Sequence, residues 1–196
     1  MENYIFEVEN AVPVELCNEL IKKFENDDRK EQGKMARGVD VTVKKSIDLH
    51  SSQYKNWNYI GESTVIEIVK VMKRYLNHLT KTGLNVNNII DDVFENSKIG
   101  FPNIQRTDKG GYYKWHIDET IKNRLLTYII YLNDVEEGFG GTTDFSCGKS
   151  VLPKQCKVLL FPATWNYIHT GKELKKGVKY IATGFIFFNG DSVIRE

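Results

Sequence analysis

The sequence is 196 residues long, enough to bury one hydrophobic core, which favours a single domain (1–196) with one active site. Its 27 Lys and Arg residues nearly balance its 26 Asp and Glu residues, so no strong overall field would attract nucleic acid or an anionic membrane. Its three cysteines, without a CxxC pair, are not the dense framework of a disulfide-stabilised secreted protein.

The beginning of the chain lacks the basic residues and the continuous apolar run of a signal peptide. The apolar stretch at residues 125–132 is only about eight residues long, whereas roughly 20 are needed to cross a bilayer. We therefore expect a cytoplasmic protein that does not associate with membranes. The sequence gives no indication of its oligomeric state.

Two helices are predicted within residues 1–90, which we expect to form a mostly helical N-terminal support. Apolar residues recur at helical spacing over residues 12–24, and Pro13 suits the first turn of that helix. A longer amphipathic helix is predicted from about residue 57 to residue 82, with Gly83 as its stop signal.

A charged stretch punctuated by glycine separates the two helices. Residues 26–38 predict a mobile loop, which is long enough to cover a site. A strand is predicted after it, near residues 39–48. Loops of this kind often carry function, so the loop is a candidate for contact with a substrate.

Residues 91–196 differ in character, because short runs of β-branched and aromatic residues alternate with Gly, Asp and Pro. The predicted strands are 94–106, 112–117, 125–133, 142–146, 157–161, 167–169 and 178–188. No useful helix pattern separates them, which favours antiparallel pairing in a barrel or sandwich over βαβ units. This half is therefore predicted to be the β-core that carries the active site.

A metal site is predicted from three residues. His116 and Asp118 lie two positions apart in a predicted strand, so both side chains face the same way. With His169 from a neighbouring strand they would form a facial triad, which leaves coordination positions open for a co-substrate and O2. The short motif is weak by itself, and the alternative is that both histidines are ordinary residues with satisfied hydrogen bonds.

An anion site is predicted beside the metal. Lys179 and Thr183 lie on the same face of the last predicted strand. An ammonium group inside a barrel needs an anion, and a dicarboxylate paired with Lys179 and bonded to the Thr183 hydroxyl would satisfy both groups. The alternative is a lysine exposed at the start of a strand.

In order and spacing these motifs resemble the prolyl-4-hydroxylase-like branch of the 2-oxoglutarate/Fe(II)-dependent dioxygenase superfamily, over most of the chain. The matching elements are Gly-x-x-Tyr-x-x-His-x-Asp at Gly110, Tyr113, His116 and Asp118, the strand at 124–133, Gly-Gly-x-Thr from Gly140, Phe161-Pro162, His169, and Gly-x-Lys ending at Lys179. The resemblance implies a mainly β fold, a double-stranded β-helix (jelly-roll, cupin-like) core with N-terminal α-helices packed on its outer face.

The resemblance also implies which residues bind the cofactors. By position, the three candidate ligands would hold Fe(II), and Lys179 would hold 2-oxoglutarate (2OG), with Tyr131 as a further contact. Two departures stand out. Arg106 and Thr107 occupy the place of a tyrosine that contacts the co-substrate in many members, and Phe185 replaces a tryptophan and loses its N–H donor.

The implied activity is hydroxylation of an organic substrate with O2, which releases succinate and CO2, with ascorbate as a candidate reductant. A peptide or protein that contains proline is the first candidate substrate, and the candidate contacts are Tyr113, Trp115 and Arg106. Three alternatives remain open. They are an oxygenase of nucleobases or small metabolites, for which Arg106, Lys109, Lys114 and Trp115 could contact a nucleic-acid strand, a non-catalytic β-barrel binding module, and a zinc hydrolase.

Overall fold

The chain folds into two antiparallel β-sheets that face each other, with helices on the outer face of the larger sheet. A computed structural model defines residues 2–35, 38–118 and 123–189. Its α-helices are α1 (Val14–Glu25), α2 (Asn58–Lys81) and α3 (Ile89–Glu95). Its strands are β1 (Phe6–Val8), β2 (Glu31–Gln32), β3 (Lys44–Lys45), β4 (Ile47–His50), β5 (Ser97–Ile99), β6 (Asn103–Asp108), β7 (Tyr112–His116), β8 (Arg124–Tyr131), β9 (Thr143–Phe145), β10 (Ser150–Val151), β11 (Val158–Pro162), β12 (His169–Gly171) and β13 (Val178–Phe188).

The larger sheet has the strand order β1-β11-β8-β13-β6-β4-β2, and β5 also pairs with β13. The smaller sheet has the order β10-β9-β12-β7-β3. Strand β8 is buried along most of its length, because helices cover one of its faces and the smaller sheet covers the other. The predicted class, a mainly antiparallel β-core with N-terminal helices on its outer face, is confirmed.

Helix α1 packs on the larger sheet through one apolar stripe. Leu16, Leu20 and Phe24 are buried and recur at helical spacing. They share a core with Ile104 and Ile130, which point outward from β6 and β8. This packing leaves the opposite face of the same strands free to line the space between the two sheets.

Two cysteines meet where α1 joins the core. The Sγ atoms of Cys17 and Cys156 are 3.9 Å apart, and both thiols are free. Burial raises the pKa of the Cys17 thiol to about 12, so this thiol stays protonated near neutral pH. The pair therefore packs as two small apolar side chains.

Both predicted helices are confirmed, with small differences at their ends. The helix predicted over residues 12–24 is observed at Val14–Glu25, and the one predicted over 57–82 is observed at Asn58–Lys81. Gly83 ends the second helix as expected, because its φ of +73° is a left-handed conformation that favours glycine. Among the residues that the structure defines, no helix is both long and apolar enough to span a membrane.

The strand predicted over residues 39–48 is wrong in its first half. The Asp40 carboxylate accepts hydrogen bonds from the backbone N–H and the hydroxyl of Thr42, and this local turn competes with strand pairing. Pairing begins only at Lys44. An aspartate two positions before a threonine could have indicated this turn.

The strand predicted over residues 94–106 is also wrong as a single element. Helix α3 extends to Glu95, and Pro102 separates β5 from β6, because proline cannot donate to a strand ladder. The predicted loop at residues 26–38 contains the short strand β2, which pairs with β4. Residues 36 and 37 of that loop lie outside the residues that the structure defines.

Replacement of a buried residue of α1 tests its packing on the sheet. Leu20→Ala should lower the free energy of unfolding by about 2–5 kcal/mol, because Leu20 is fully buried and the cavity would close only in part. Glu19→Ala, at the neighbouring exposed position, should change it by less than about 0.5 kcal/mol. Urea denaturation followed by circular dichroism measures both, and equal effects would contradict this packing.

Candidate metal centre

A cavity of about 950 Å³ lies between the two sheets. Its walls come from β6, β8 and β13 of the larger sheet and from β7, β9 and β12 of the smaller one. All three predicted metal ligands, His116, Asp118 and His169, line it, and Lys179 lines it as well. The structure therefore brings the predicted metal and anion groups into one space.

The three candidate ligands meet because β12 pairs with β7. This pairing sets His169 directly opposite His116. His116 Nε2 lies 3.7 Å from one carboxylate oxygen of Asp118, and His169 Nε2 lies 3.5 Å from the other. One ligand atom from each residue lies within 4.8 Å of the other two, so a single cation could contact all three.

Backbone hydrogen bonds set the tautomer of both histidines. His116 Nδ1 donates to the carbonyl of Lys114 (2.8 Å), and His169 Nδ1 donates to the carbonyl of Tyr167 (3.0 Å). A carbonyl can only accept, so each Nδ1 carries the proton and each Nε2 presents a lone pair. Burial, assisted by His169, lowers the pKa of His116 to about 4, which keeps it neutral and able to bind a metal at pH 7.

The Asp118 carboxylate is oriented by its neighbours on β8. Thr127 Oγ1 donates to Asp118 Oδ2 (2.6 Å), and Arg124 Nη1 donates to the Asp118 backbone carbonyl (2.6 Å). The Arg124 guanidinium also stacks on the Phe185 ring, 3.6 Å from its centre. Sequence reasoning had missed Arg124 and Thr127, since both contacts depend on how β8 lies beside the end of β7.

A bulge in β7 places Tyr113 beside the metal site. Tyr113 pairs with Gly171 and His116 with His169, so three residue steps on β7 face two on β12. The extra residue shifts the alternation of the strand. Tyr113 thus lines the same cavity as His116, and their rings stack with centres 3.5 Å apart.

A buried ion pair lies beside the same tyrosine. Lys44 Nζ lies 5.2 Å from the centre of the Tyr113 ring and 2.6 Å from Asp48 Oδ2. Ser46 donates to the second oxygen of Asp48. Both charged side chains are almost fully buried, so each depends on the other for compensation.

Lys179 is the clearest indication of an anion site. It is 5 % exposed, and its Nζ donates to the Gly141 carbonyl at 2.8 Å. Within the defined residues no carboxylate pairs with it, and burial lowers the pKa of its ammonium group to about 8. The acceptor carbonyl belongs to a turn in which Gly140 and Gly141 have φ of +76° and +70°, conformations that favour glycine.

The two other predicted co-substrate contacts are placed differently. Tyr131 is fully buried beneath the cavity wall and donates to Thr143 Oγ1 (2.8 Å). Thr143 lines the cavity, so its own hydroxyl proton remains available to a ligand. Thr183 also lines the cavity, but its hydroxyl proton is directed to the Tyr128 carbonyl.

The structure does not bring all the predicted substrate contacts together. Arg106 lies on the outer face of β6, where it pairs with Glu25 and Asp108, while its neighbour Thr107 lines the cavity. Trp115 is 53 % exposed and is not part of the cavity wall. Of the three candidates only Tyr113 faces the cavity, because strand alternation turns the other two away.

Residues 102–187 match a family model described as the 2OG-Fe(II) oxygenase superfamily. The matched segment contains the three candidate ligands and Lys179. The resemblance to 2OG-Fe(II) oxygenases is confirmed. No curated protein matches the sequence.

Similar solved structures include prolyl hydroxylases. A viral collagen prolyl hydroxylase from Paramecium Bursaria Chlorella virus-1, in complex with 2OG, has a TM-score of 0.61 and 20% identity, over 94% of this chain and 95% of that chain. A prolyl hydroxylase from Trichoplax adhaerens, with a hypoxia inducible factor peptide fragment, has a TM-score of 0.70 and 15% identity, over 95% and 84%. A Pseudomonas putida prolyl-4-hydroxylase has a TM-score of 0.63 and 14% identity, over 94% and 92%. These similarities confirm the jelly-roll fold.

The superfamily implies Fe(II), 2OG and O2, and the residues present fit this set. Two imidazoles and one carboxylate on one side of a cavity are the donors of the facial triad that binds non-haem Fe(II). The Lys179 ammonium, buried without a carboxylate partner in the defined part of the chain, fits the far carboxylate of a keto-diacid. The set suits Fe(II) better than a hydrolytic zinc site, which has no evident use for Lys179.

The bond from Thr127 to Asp118 should contribute to metal affinity. Thr127→Val removes the donor to Asp118 Oδ2, and the affinity for Fe(II) or Co(II) should fall about 10–100-fold because the carboxylate loses its orientation. Anaerobic calorimetric titration measures this. Thr80→Val is the control, since the Thr80 hydroxyl bonds only to the Leu76 carbonyl and the Asn85 side chain, away from the cavity. An affinity within about twofold of wild type would contradict this role of Thr127.

Binding of 2OG should weaken at alkaline pH. The ammonium form of Lys179 attracts the diacid, and its pKa of about 8 in the free protein means that the charge is present at pH 7 and lost as the pH rises through 8. The dissociation constant should therefore be flat below about pH 7 and rise up to about tenfold per pH unit above 8.

Titration of 2OG in the presence of Mn(II), from pH 6.5 to 9.5, tests this dependence. Lys179→Met should bind 2OG weakly with no such rise, because it has no charge to lose. A wild-type dissociation constant that does not change between pH 7 and 9.5 would refute the role of Lys179.

Proposed function

We propose that this protein is a 2OG- and Fe(II)-dependent dioxygenase that hydroxylates a peptidyl proline and releases succinate and CO2. The observation that carries the proposal is the buried ammonium of Lys179 in the same cavity as His116, Asp118 and His169. A binding module without catalysis has no evident need for both an anion site and three convergent metal donors. The whole of residues 1–196 is proposed to act as one domain.

In this proposal the chain contributes orientation. His116, Asp118 and His169 hold Fe(II), which when bound supplies the activation of O2 and the oxidative chemistry. Lys179 fixes the far carboxylate of 2OG, and the Thr143 hydroxyl, backed by Tyr131, offers a second donor to it. The Thr183 hydroxyl offers no donor to the carboxylate while its proton is directed to the Tyr128 carbonyl, so it lines the cavity as an acceptor only.

The choice of a proline-containing peptide rests on two supports. The similar structures named above are prolyl hydroxylases, and one of them contains a peptide fragment. The cavity is also large enough, at about 950 Å³, to hold a substrate segment beside a small diacid. Tyr113 is proposed to contact that segment. Trp115, exposed one residue before His116, is proposed to contact the substrate outside the cavity.

Oxidation of a nucleobase is supported less well. The net charge is +1, and Arg106, one of the residues considered for nucleic-acid contact, is held by Glu25 on the outer face of β6. We further propose ascorbate as the reductant and the cytoplasm as the compartment, which suits three free cysteines.

Turnover of 2OG tests the proposal. The enzyme is supplied aerobically with Fe(II), 2OG and ascorbate, and succinate is measured with proline-rich peptides, free amino acids and oligonucleotides. We expect the peptides to stimulate succinate formation most. His116→Ala and Asp118→Ala should reduce it to the level without enzyme, because each opens the metal site.

His78→Ala is the matched control, because this histidine lies on α2 near Asn3, away from the cavity. It should retain the wild-type rate. Substrate-stimulated succinate formation at the wild-type rate in His116→Ala or Asp118→Ala would refute the metal assignment. Stimulation by oligonucleotides alone would leave the oxygenase chemistry intact but overturn the peptide substrate.

A further inference from the structure

One wall of the cavity carries two carboxamide side chains that the metal and 2OG sites do not use. Asn103 and Gln105 lie two residues apart on β6, and both line the cavity. The residue between them, Ile104, is fully buried on the helical side of the sheet. The alternation of the strand therefore directs both amides to the same space.

Neither carboxamide is satisfied by the protein. Asn103 Oδ1 is buried and finds no hydrogen-bond partner in the defined residues, and the Gln105 side chain makes no hydrogen bond there either. A buried acceptor without a donor destabilises a folded protein. Because Asn103 lines the cavity, a ligand bound there could supply the missing N–H or O–H donor to its Oδ1.

The position of these amides points to the substrate. On β13 their cross-strand neighbours are Thr183 and Ile181, whereas Lys179 pairs with Thr107. Asn103 is thus the residue of this row farthest from the anion site. Across the sheet, Asn103 is in register with Thr183 and then with Ile129 of β8, two strands or about 10 Å away. Ile129 is two residues along β8 from Thr127, the partner of Asp118. A molecule seated against Asn103 and Gln105 would lie between β6 and the metal ligands.

The spacing of the two amides suits a peptide main chain. Residues two apart on a strand are separated by roughly 6.6 Å, and an extended peptide repeats its amide groups on one side at the same interval. A carboxamide both donates and accepts, so each could bond an N–H or a C=O of such a chain. A free amino acid is too short to engage both positions at once.

From these observations we propose that Asn103 and Gln105 form a subsite that hydrogen-bonds the main chain of an extended peptide substrate. This subsite rests on the proposed oxygenase function and would be the part of the cavity that recognises the main chain of a peptide substrate. It assigns specificity to β6, whose outward-facing Arg106 does not reach the cavity. The two amides bind and orient substrate, and they take no part in the metal chemistry.

Apolar replacement of Asn103 separates a ligand contact from a structural one. In Asn103→Leu the KM for the best proline-rich peptide should rise about tenfold, the worth of one well-placed hydrogen bond, while kcat changes by less than about threefold. The dissociation constant of 2OG, measured by calorimetry with Mn(II), should stay within about twofold of wild type. Because an unsatisfied acceptor is removed, Tm should stay the same or rise.

Asn85→Leu is the matched control. Its amide is fully engaged by Thr80, Asp91 and the backbone N–H of Ile90, far from the cavity. The same substitution there should lower Tm and leave the peptide KM unchanged. Gln105→Leu should repeat the pattern of Asn103→Leu, and the double variant should show roughly the product of the two KM increases.

Methylation of the peptide provides the complementary cycle. Methylation of single backbone N–H groups that flank the proline should identify one group whose loss raises the wild-type KM about tenfold. The same modified peptide should show no further increase with Asn103→Leu, because the bond is already absent. Equal increases with both proteins would show that Asn103 does not contact that group.

The outcomes distinguish this inference from the proposed function. Peptide turnover by wild type with unchanged KM in both carboxamide variants would overturn the subsite and leave the oxygenase standing. A loss of 2OG affinity in Asn103→Leu, or a fall in its Tm like that of Asn85→Leu, would also overturn it. Failure of the wild-type protein to bind 2OG would refute the proposed function itself, and with it the subsite.

Discussion

The candidate site depends on one short antiparallel pairing, that of β12 with β7. This pairing sets His169 opposite His116 and brings the two imidazoles to the carboxylate of Asp118. The two histidines are far apart in sequence and come from strands of three and five residues. The histidine tautomers and the candidate anion site can serve a bound metal only once this pairing has brought the three candidate ligands together.

Desolvation links the metal and anion groups. The same cavity lowers the pKa of His116, which keeps its imidazole neutral for a metal, and lowers the pKa of Lys179, which leaves its charge in need of an anion. A metal cation and a diacid would therefore stabilise each other's sites as well as their own. In the protein without ligands, burial of these polar groups lowers the free energy of unfolding, and packing of the helix-covered core must compensate for that loss.

Much of the candidate site could be predicted from alternation along single strands and from the order of motifs, which together indicated the three candidate ligands and Lys179. What was missed depends on pairings between strands. Arg124 and Thr127 reach Asp118 only because β8 lies beside the end of β7, and the alternation of β6 directs Asn103 into the cavity but Arg106 away from it. The sequence pattern of a single strand shows that its residues alternate between two faces, but it does not show which face lines the cavity. Arg106 was therefore predicted to contact the substrate although it lies on the outer face of β6.

The ion pair between Lys44 and Asp48 links the N-terminal segment to the ring that stacks on His116. Loss of either partner alone would leave an unpaired charge buried in the protein, whereas replacement of both by apolar residues would not. Among relatives with this cavity, the two positions should therefore covary, present together or absent together. Sequences that keep only one of the two residues should be rare, because an unpaired buried charge would destabilise the fold next to the candidate ligand His116.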